Sequence, residues 1–337
     1  MADRVLLTGV SGFLGGHVAL QLLKAGYSVR GSVRNLDKAD AVRATLAKAG
    51  ADVSQLEFVA LDLLADTGWD AAMEGVRYLQ HTASPFVLNT PSDPQELIRP
   101  AVEGTRRAIN AAIAAQVERI VLTSSIAAIQ YGHTGHTRAF TEADWSNVES
   151  PHISAYAQSK TLAERAAWAL MDAADRHDDL AVINPAGIFG PLLDNDPGTS
   201  SLLVKRLIDG KLPALPKLAM SMVDVRDVAA LHVDAMTSPD AGGQRCIASE
   251  GTYRMAEVAQ MLRPAFPDRR IPTAELPTWV VRIVALFDTD VRDNLHEIGA
   301  IKRVDGTRGI ARLGRPLIGT DESSIATAKS LIDHDLV

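Results

Sequence analysis

The stretch Thr8-Gly9-Val10-Ser11-Gly12-Phe13-Leu14-Gly15 decides how this chain reads. Three glycines at three-residue spacing follow the apolar run Val5-Leu6-Leu7 and precede a helical pattern over 13–25. Gly9 permits a tight turn, Gly12 lets backbone approach a pyrophosphate, and Gly15 lets the helix lie close on the strand. The N–H groups at the helix start, around Phe13 and Leu14, then face an anion along the helix dipole.

Outward from this turn, short β-rich runs alternate with helical stretches. Strands are expected over 5–8, 27–33, 56–61, 76–82, 119–123 and 180–184. Helices are expected over 13–25, 37–49, 69–74, 94–115 and 154–177. Six strands with crossover helices predict an α/β fold, a doubly wound parallel sheet of the Rossmann type, with a smaller C-terminal substrate-binding lobe. After Asn184 the texture changes: Pro185, Gly187, Gly190, Pro191, Pro197 and Gly198 crowd one stretch, which reads as loops around a site. The expected division is a dinucleotide-binding domain over 1–184, rejoined by 222–248, and a lobe made of 185–221 and 249–337. A strand over 222–227 and helices near 254–264, 278–286 and 321–332 are expected in this half, the last capped by Thr320 or Asp321.

The chain has 337 residues, 47% apolar and 22% charged, an ordinary mixture for a folded enzyme. Lys and Arg number 34 against 41 Asp and Glu, a net charge of −7 that argues against nucleic acid as partner. No apolar run reaches the ~18 residues of a membrane span, and no signal-peptide pattern opens the chain. With a lone cysteine, Cys246, read as a small buried side chain, the expected location is cytoplasmic.

The end of the second strand selects between dinucleotides. An NAD site usually has an acid there, holding the ribose hydroxyls. Here the segment reads Gly31-Ser32-Val33-Arg34-Asn35-Leu36-Asp37-Lys38. Arg34 and Lys38 suit a 2′-phosphate, and Asp37 stands where a helix cap is expected, so NADP(H) is favoured over NAD(H). Asp62 and Leu63, closing the third strand, either meet the adenine edge or, for Asp62, cap a turn.

Tyr156-Ala157-Gln158-Ser159-Lys160 puts a phenol and an ammonium one turn apart on a helix that follows Thr123-Ser124-Ser125. Carbonyl reduction needs a proton for the developing alkoxide, and a free phenol, with a pKa of about 10, gives one reluctantly. A nearby cation favours the phenolate; a shift of three units would amount to about 4 kcal/mol. On this reading Tyr156 is the acid, Lys160 tunes it and clamps the ribose, and Ser125 donates to the substrate oxygen.

With these residues in place the chain resembles the extended short-chain dehydrogenase/reductase family. It is similar to the dihydroflavonol reductase group, which includes cinnamoyl-CoA reductases and microbial ketone/aldehyde reductases. The likeness runs through the 8–15 loop, Val29-Arg30-Gly31-Ser32-Val33-Arg34 and His81-Thr82-Ala83-Ser84-Pro85-Phe86. It continues through Thr123-Ser124-Ser125, the 156–164 stretch, Asn184-Pro185 and Val223-Asp224-Val225-Arg226-Asp227-Val228-Ala229. The resemblance implies NADPH-dependent reduction of an aldehyde or ketone, with nicotinamide contacts from Thr82, Ala83, Ser84, Pro185 and Ile188. It also implies a monomer or a homodimer, the latter paired through the helices at 94–115 and 154–177. Pro100 stands where many members carry Asn, and it offers no side-chain amide to a proton relay.

A nucleotide-sugar epimerase or dehydratase shares the Tyr/Lys pair, but would keep an acid after the second strand. A non-enzymatic NADP(H) sensor would typically lose Tyr156 or Lys160. His133 and His136, with Glu142 and Asp144 nearby, read as a solvated loop, so no metal is expected. Asp224, Arg226 and Asp227 read as an ion-paired strand end, Arg106 and Arg107 as an exposed helix face. The apolar stretch 279–287 reads as core in preference to a pocket wall.

Overall fold

The fold is seen in a computed structural model that describes residues 2–84, 93–284, 286 and 295–337. The chain opens with β1 (Arg4–Thr8), α1 (Phe13–Lys24), β2 (Ser28–Val33), α2 (Ala39–Lys48), β3 (Leu56–Ala60), α3 (Trp69–Met73) and β4 (Tyr78–His81). Next come α4 (Gln95–Ala114), β5 (Arg119–Thr123), α5 (Ala155–Ala173), β6 (Leu180–Pro185), β7 (Gly187–Phe189), α6 (Ser201–Ile208) and β8 (Ala219–Asp224). The remainder is α7 (Val225–Thr237), β9 (Gln244–Ala248), β10 (Gly251–Arg254), α8 (Met255–Leu262), α9 (Thr278–Val284), α10 (Thr307–Leu313) and α11 (Thr320–Asp333).

Seven strands form one parallel sheet in the order β3-β2-β1-β4-β5-β6-β9. Strands β1, β5 and β6 are apolar at successive positions because both faces are covered. In β1, Val5 and Leu7 enter one core while Leu6 enters the other. The first core takes Val18 and Leu22 of α1 with Val228 and Leu231 of α7. The second takes Trp69 of α3, Ile109 and Ala112 of α4, and Met171 of α5. Burying a side chain of this size contributes about 1.5–3 kcal/mol. The winding reverses between β1 and β4, which opens a crevice at their carboxyl ends, the usual ligand site of such sheets.

The doubly wound sheet is as expected, but it carries a seventh strand, β9. β9 opens on two polar residues, Gln244 and Arg245, which interrupt the apolar run that marks the other strands. The segment read as a strand over 222–227 is β8, which ends at Asp224 because that side chain accepts from Arg226 N and starts α7. β8 pairs with β10 antiparallel and β7 parallel, in a separate three-stranded sheet. A third core, with Phe189, Val204, Leu207, Val258 and Leu331, lies under that sheet. The helix read to residue 177 stops at Ala173, since Asp175 turns left-handed (φ 53) and Arg176 N bonds Met171 O. α11 is preceded by Gly319, and neither Thr320 nor Asp321 caps it. Helices α6, α7 and α10 were not anticipated. Among the described residues no helix is long and apolar enough to cross a membrane.

Candidate active site

Gly9 sits at φ 74, and a Cβ there would lie 2.9 Å from the Ala83 Cα. A Cβ on Gly15 would stand 2.0 Å from the Gly9 carbonyl oxygen, so helix and turn touch with no room for a side chain. Gly12 differs: its Cβ would meet only Gly9 O, at 3.5 Å. The protein leaves space above Gly12, and no side chain caps α1 there, so the amides of Phe13, Leu14 and Gly15 are left for an anion. The start of α1 is anchored to the loop after β7, where His17 Nε2 bonds the Pro191 carbonyl at 2.9 Å.

Beyond β2, Arg34 and Lys38 are exposed, and among the described residues no carboxylate pairs with either. Asp37 is not the cap expected of it. Asn35 accepts from Asp37 N at 3.0 Å and donates Nδ2 to Asp37 Oδ2 at 2.8 Å, which occupies the local acid. Asp62 closes a turn, its Oδ1 accepting from Leu64 N at 2.9 Å. Leu63 packs on Gly104. Arg107, read as an exposed face, instead pairs with Asp66 and donates to Leu63 O, holding this turn in place.

At the crevice, Thr8 Oγ1 bonds His81 Nδ1 at 2.8 Å and accepts from Ala83 N, while Thr82 Oγ1 donates to Thr8 O at 2.6 Å. These bonds lace the ends of β1 and β4, with Ser84 exposed just beyond; Pro85 and Phe86 lie outside the described residues. His81 is buried, and desolvation followed by the Lys160 charge brings its pKa down to about 4.

Ser154 caps α5 by accepting from Ala157 N, which sets Tyr156 in the first turn and Lys160 in the next. Tyr156 is 38% exposed, and Lys160 Nζ stands 5.8 Å from the centre of its ring. Ser125, past the end of β5, accepts from Ala127 N through Oγ at 3.1 Å, which leaves its hydroxyl proton free to be donated. Asn184 Nδ2 holds the Ser125 carbonyl at 3.2 Å. Pro185 closes β6 and Ile188 lies in β7. The residues singled out in the sequence thus stand along one edge, at the carboxyl ends of β1, β2, β3, β4, β5 and β6.

Sequence reasoning missed several neighbours. Tyr131 lies within electrostatic reach of Tyr156; burial first, then Glu297, pushes its phenol up to about 12. Lys302 Nζ stands 4.5 Å from the Tyr131 ring centre and 2.5 Å from Glu297 Oε1. A pocket of 370 Å³ opens alongside, lined by the 132–140 loop, Ser150, His152, Glu297 and 300–303. Within it His136 stacks on Phe140 at 3.7 Å, and His133 Nε2 bonds the Trp145 carbonyl. Asp144 is committed to Arg138, which holds its carboxyl well below the usual range, and Glu142 accepts from Ile247 N. Asp224 pairs with Arg226, and Asp227 with Arg315. The core expected over 279–287 is corrected in part: Val281 is buried, but Trp279, Ile283 and Leu286 are exposed, and Phe287 lies outside the described residues. Cys246 is buried, its thiol raised to about 12 by desolvation.

A family model described as the NAD dependent epimerase/dehydratase family matches residues 5–248, from β1 to the last residue of β9. The chain belongs to that family. Its relatives include an oxidoreductase of Schizosaccharomyces pombe, 37% identical, covering 80% of this chain and 84% of the relative. Cinnamoyl-CoA reductase CAD2 of Medicago truncatula is 33% identical over 81% of this chain and 83% of its own. Among solved structures, yeast methylglyoxal/isovaleraldehyde reductase Gre2 complexed with NADPH superposes with a TM-score of 0.80 at 26% identity, covering 98% and 99% of the two chains.

Proposed function

We propose that this chain is an NADPH-dependent reductase that converts an aldehyde or ketone to an alcohol, with Tyr156 as the proton donor. The observation that carries this reading is Lys160 Nζ standing 5.8 Å from the Tyr156 ring centre on α5, with the Ser125 hydroxyl proton free past the end of β5. The reductase relatives support it, as does the basic pair Arg34 and Lys38 where an NAD site would have a free acid.

Bound NADPH would supply the hydride. The open amides from Gly12 to Gly15 would hold its pyrophosphate, Arg34 and Lys38 its 2′-phosphate, and the Asp62-Leu63 turn its adenine. Thr82, Ala83, Ser84, Pro185 and Ile188 would face the nicotinamide. As the carbonyl carbon gains hydride, its π electrons move to oxygen, and Tyr156 passes its phenolic proton there. The Ser125 hydroxyl donates to the same oxygen, where charge develops. Lys160 would clamp the nicotinamide ribose, and solvent restores the proton to the part-exposed Tyr156. The rest of the substrate would extend past Tyr131 into the 370 Å³ pocket, whose Phe140 and Ile301 suit an apolar or aromatic group.

The test follows NADPH absorbance with a panel of aldehydes and ketones. Turnover with alcohol formed in equal amount is expected. Absence of redox turnover, with a nucleotide sugar interconverted instead, would replace this reading with an epimerase. NADPH binding with no reaction of any kind would leave a sensor.

A further inference from the structure

On α5, one turn beyond Lys160, Glu164 is wholly buried. A carboxylate taken out of water is costly unless each oxygen is satisfied, and here both are. Oε1 accepts from Arg245 Nε at 2.6 Å and from Trp168 Nε1. Oε2 accepts from Ser124 Oγ at 2.5 Å, Asn184 Nδ2 at 2.8 Å and Arg245 Nη2 at 3.3 Å. Arg245, on β9, spends Nη1 on the carbonyls of Glu142 and Asp144 and lies 3.9 Å above the Trp145 ring.

Two of these partners adjoin site residues. Ser124 precedes Ser125. Asn184 precedes Pro185, and the same Nδ2 that bonds Glu164 also holds the Ser125 carbonyl. The Asn184 Oδ1 is buried with no hydrogen-bond partner, so the amide is oriented through Nδ2 alone. We propose that Glu164, locked by Arg245, is a positioning residue that fixes the Ser125 hydroxyl and the Asn184-Pro185 turn against the helix carrying Tyr156 and Lys160. The inference rests on the reductase reading. A buried ion pair is weak evidence for stability, because apolar replacements of similar volume often serve as well. Geometry is a different matter: a misplacement of about 1 Å can cost about 100-fold in rate.

Glu164→Gln retains the volume but presents an NH2 where Ser124, Asn184 and Arg245 need an acceptor. Asn184 can then flip its Oδ1 onto that NH2 and release Ser125. Ser124→Ala removes a single hydroxyl and serves as the milder variant should Glu164→Gln fail to fold. The measurement is single-turnover oxidation of enzyme-bound NADPH at saturating aldehyde, where amplitude counts folded sites and the rate constant reports the chemical step. Ser124→Ala is expected to slow that step about 10-fold, equivalent to about 1.4 kcal/mol, with amplitude retained. Glu164→Gln is expected to slow it about 100-fold, with NADPH affinity within about 3-fold of wild type. Reduced amplitude with unchanged rate constants would make the pair purely structural and overturn the inference. A wild-type chain that turns over normally, is silenced by Tyr156→Phe, yet is indifferent to Ser124→Ala and Glu164→Gln would also overturn it while sparing the reductase reading. A wild type without turnover would overturn both.

Discussion

Lys160 Nζ lies 5.8 Å from the centre of the Tyr156 ring, one turn along the same helix, and its charge also reaches His81 at the end of β4. One ammonium thus stands near the phenol and acts electrostatically on the end of β4. Lys160→Met should lower turnover by about 100-fold or more, since the reacting edge loses its one ammonium on α5. Steady-state rates with saturating NADPH check this; wild-type turnover in the variant would remove Lys160 from the mechanism.

Arg34 and Lys38 have no carboxylate partner among the described residues, so removing them leaves no stranded charge. Arg34→Ala is expected to weaken NADPH by about 10- to 100-fold, the value of one or two charge-assisted bonds, and to leave NADH affinity nearly unchanged. Fluorescence titration with both dinucleotides gives the ratio. Equal losses for the two would place the 2′-phosphate elsewhere.

The glycines of the first turn should separate binding from folding. Gly15→Ala forces a methyl to 2.0 Å from Gly9 O and should cost more than about 2 kcal/mol of stability. Gly12→Ala meets only an ordinary contact at 3.5 Å, so melting should be nearly unchanged while NADPH affinity falls. Thermal melts with and without NADPH distinguish the two outcomes.

Burial depresses the pKa of His81 to about 4 and of His232 to about 3. The unfolded chain takes up these protons near pH 6.5 and the folded chain does not. The two groups therefore leave stability intact above about pH 6.5 and erode it as pH falls toward the folded values, by about 3 kcal/mol for His81 alone. Urea midpoints at pH 7.5, 5.5 and 4.5 should decline in that order. A flat series would mean that neither ring is held neutral by the fold.

Much of this edge was readable because its signals are local. Three glycines, a basic end to β2 and a Tyr/Lys pair one helical turn apart each declare themselves within eight residues. The alternation of strand and helix through Asn184 was equally visible, since a strand covered on both faces is an apolar run. What escaped depends on distant partners. Glu164 and Arg245 are 81 residues apart and meet only once β9 has joined the sheet. The 279–287 stretch was read only in part: its apolar character suggested core, and Val281 is buried, yet Trp279 and Ile283 remain exposed, because composition does not say which face finds a partner. Asp37 misled for a subtler reason, Asn35 being two residues earlier and equally able to start the turn.

The most direct test is Tyr156→Phe, which removes one oxygen atom and keeps the ring. Rates of NADPH oxidation with a carbonyl that the wild type reduces should fall by about 100-fold or more, while the NADPH dissociation constant stays within about 3-fold. Wild-type turnover in the phenylalanine variant would contradict the account at its centre.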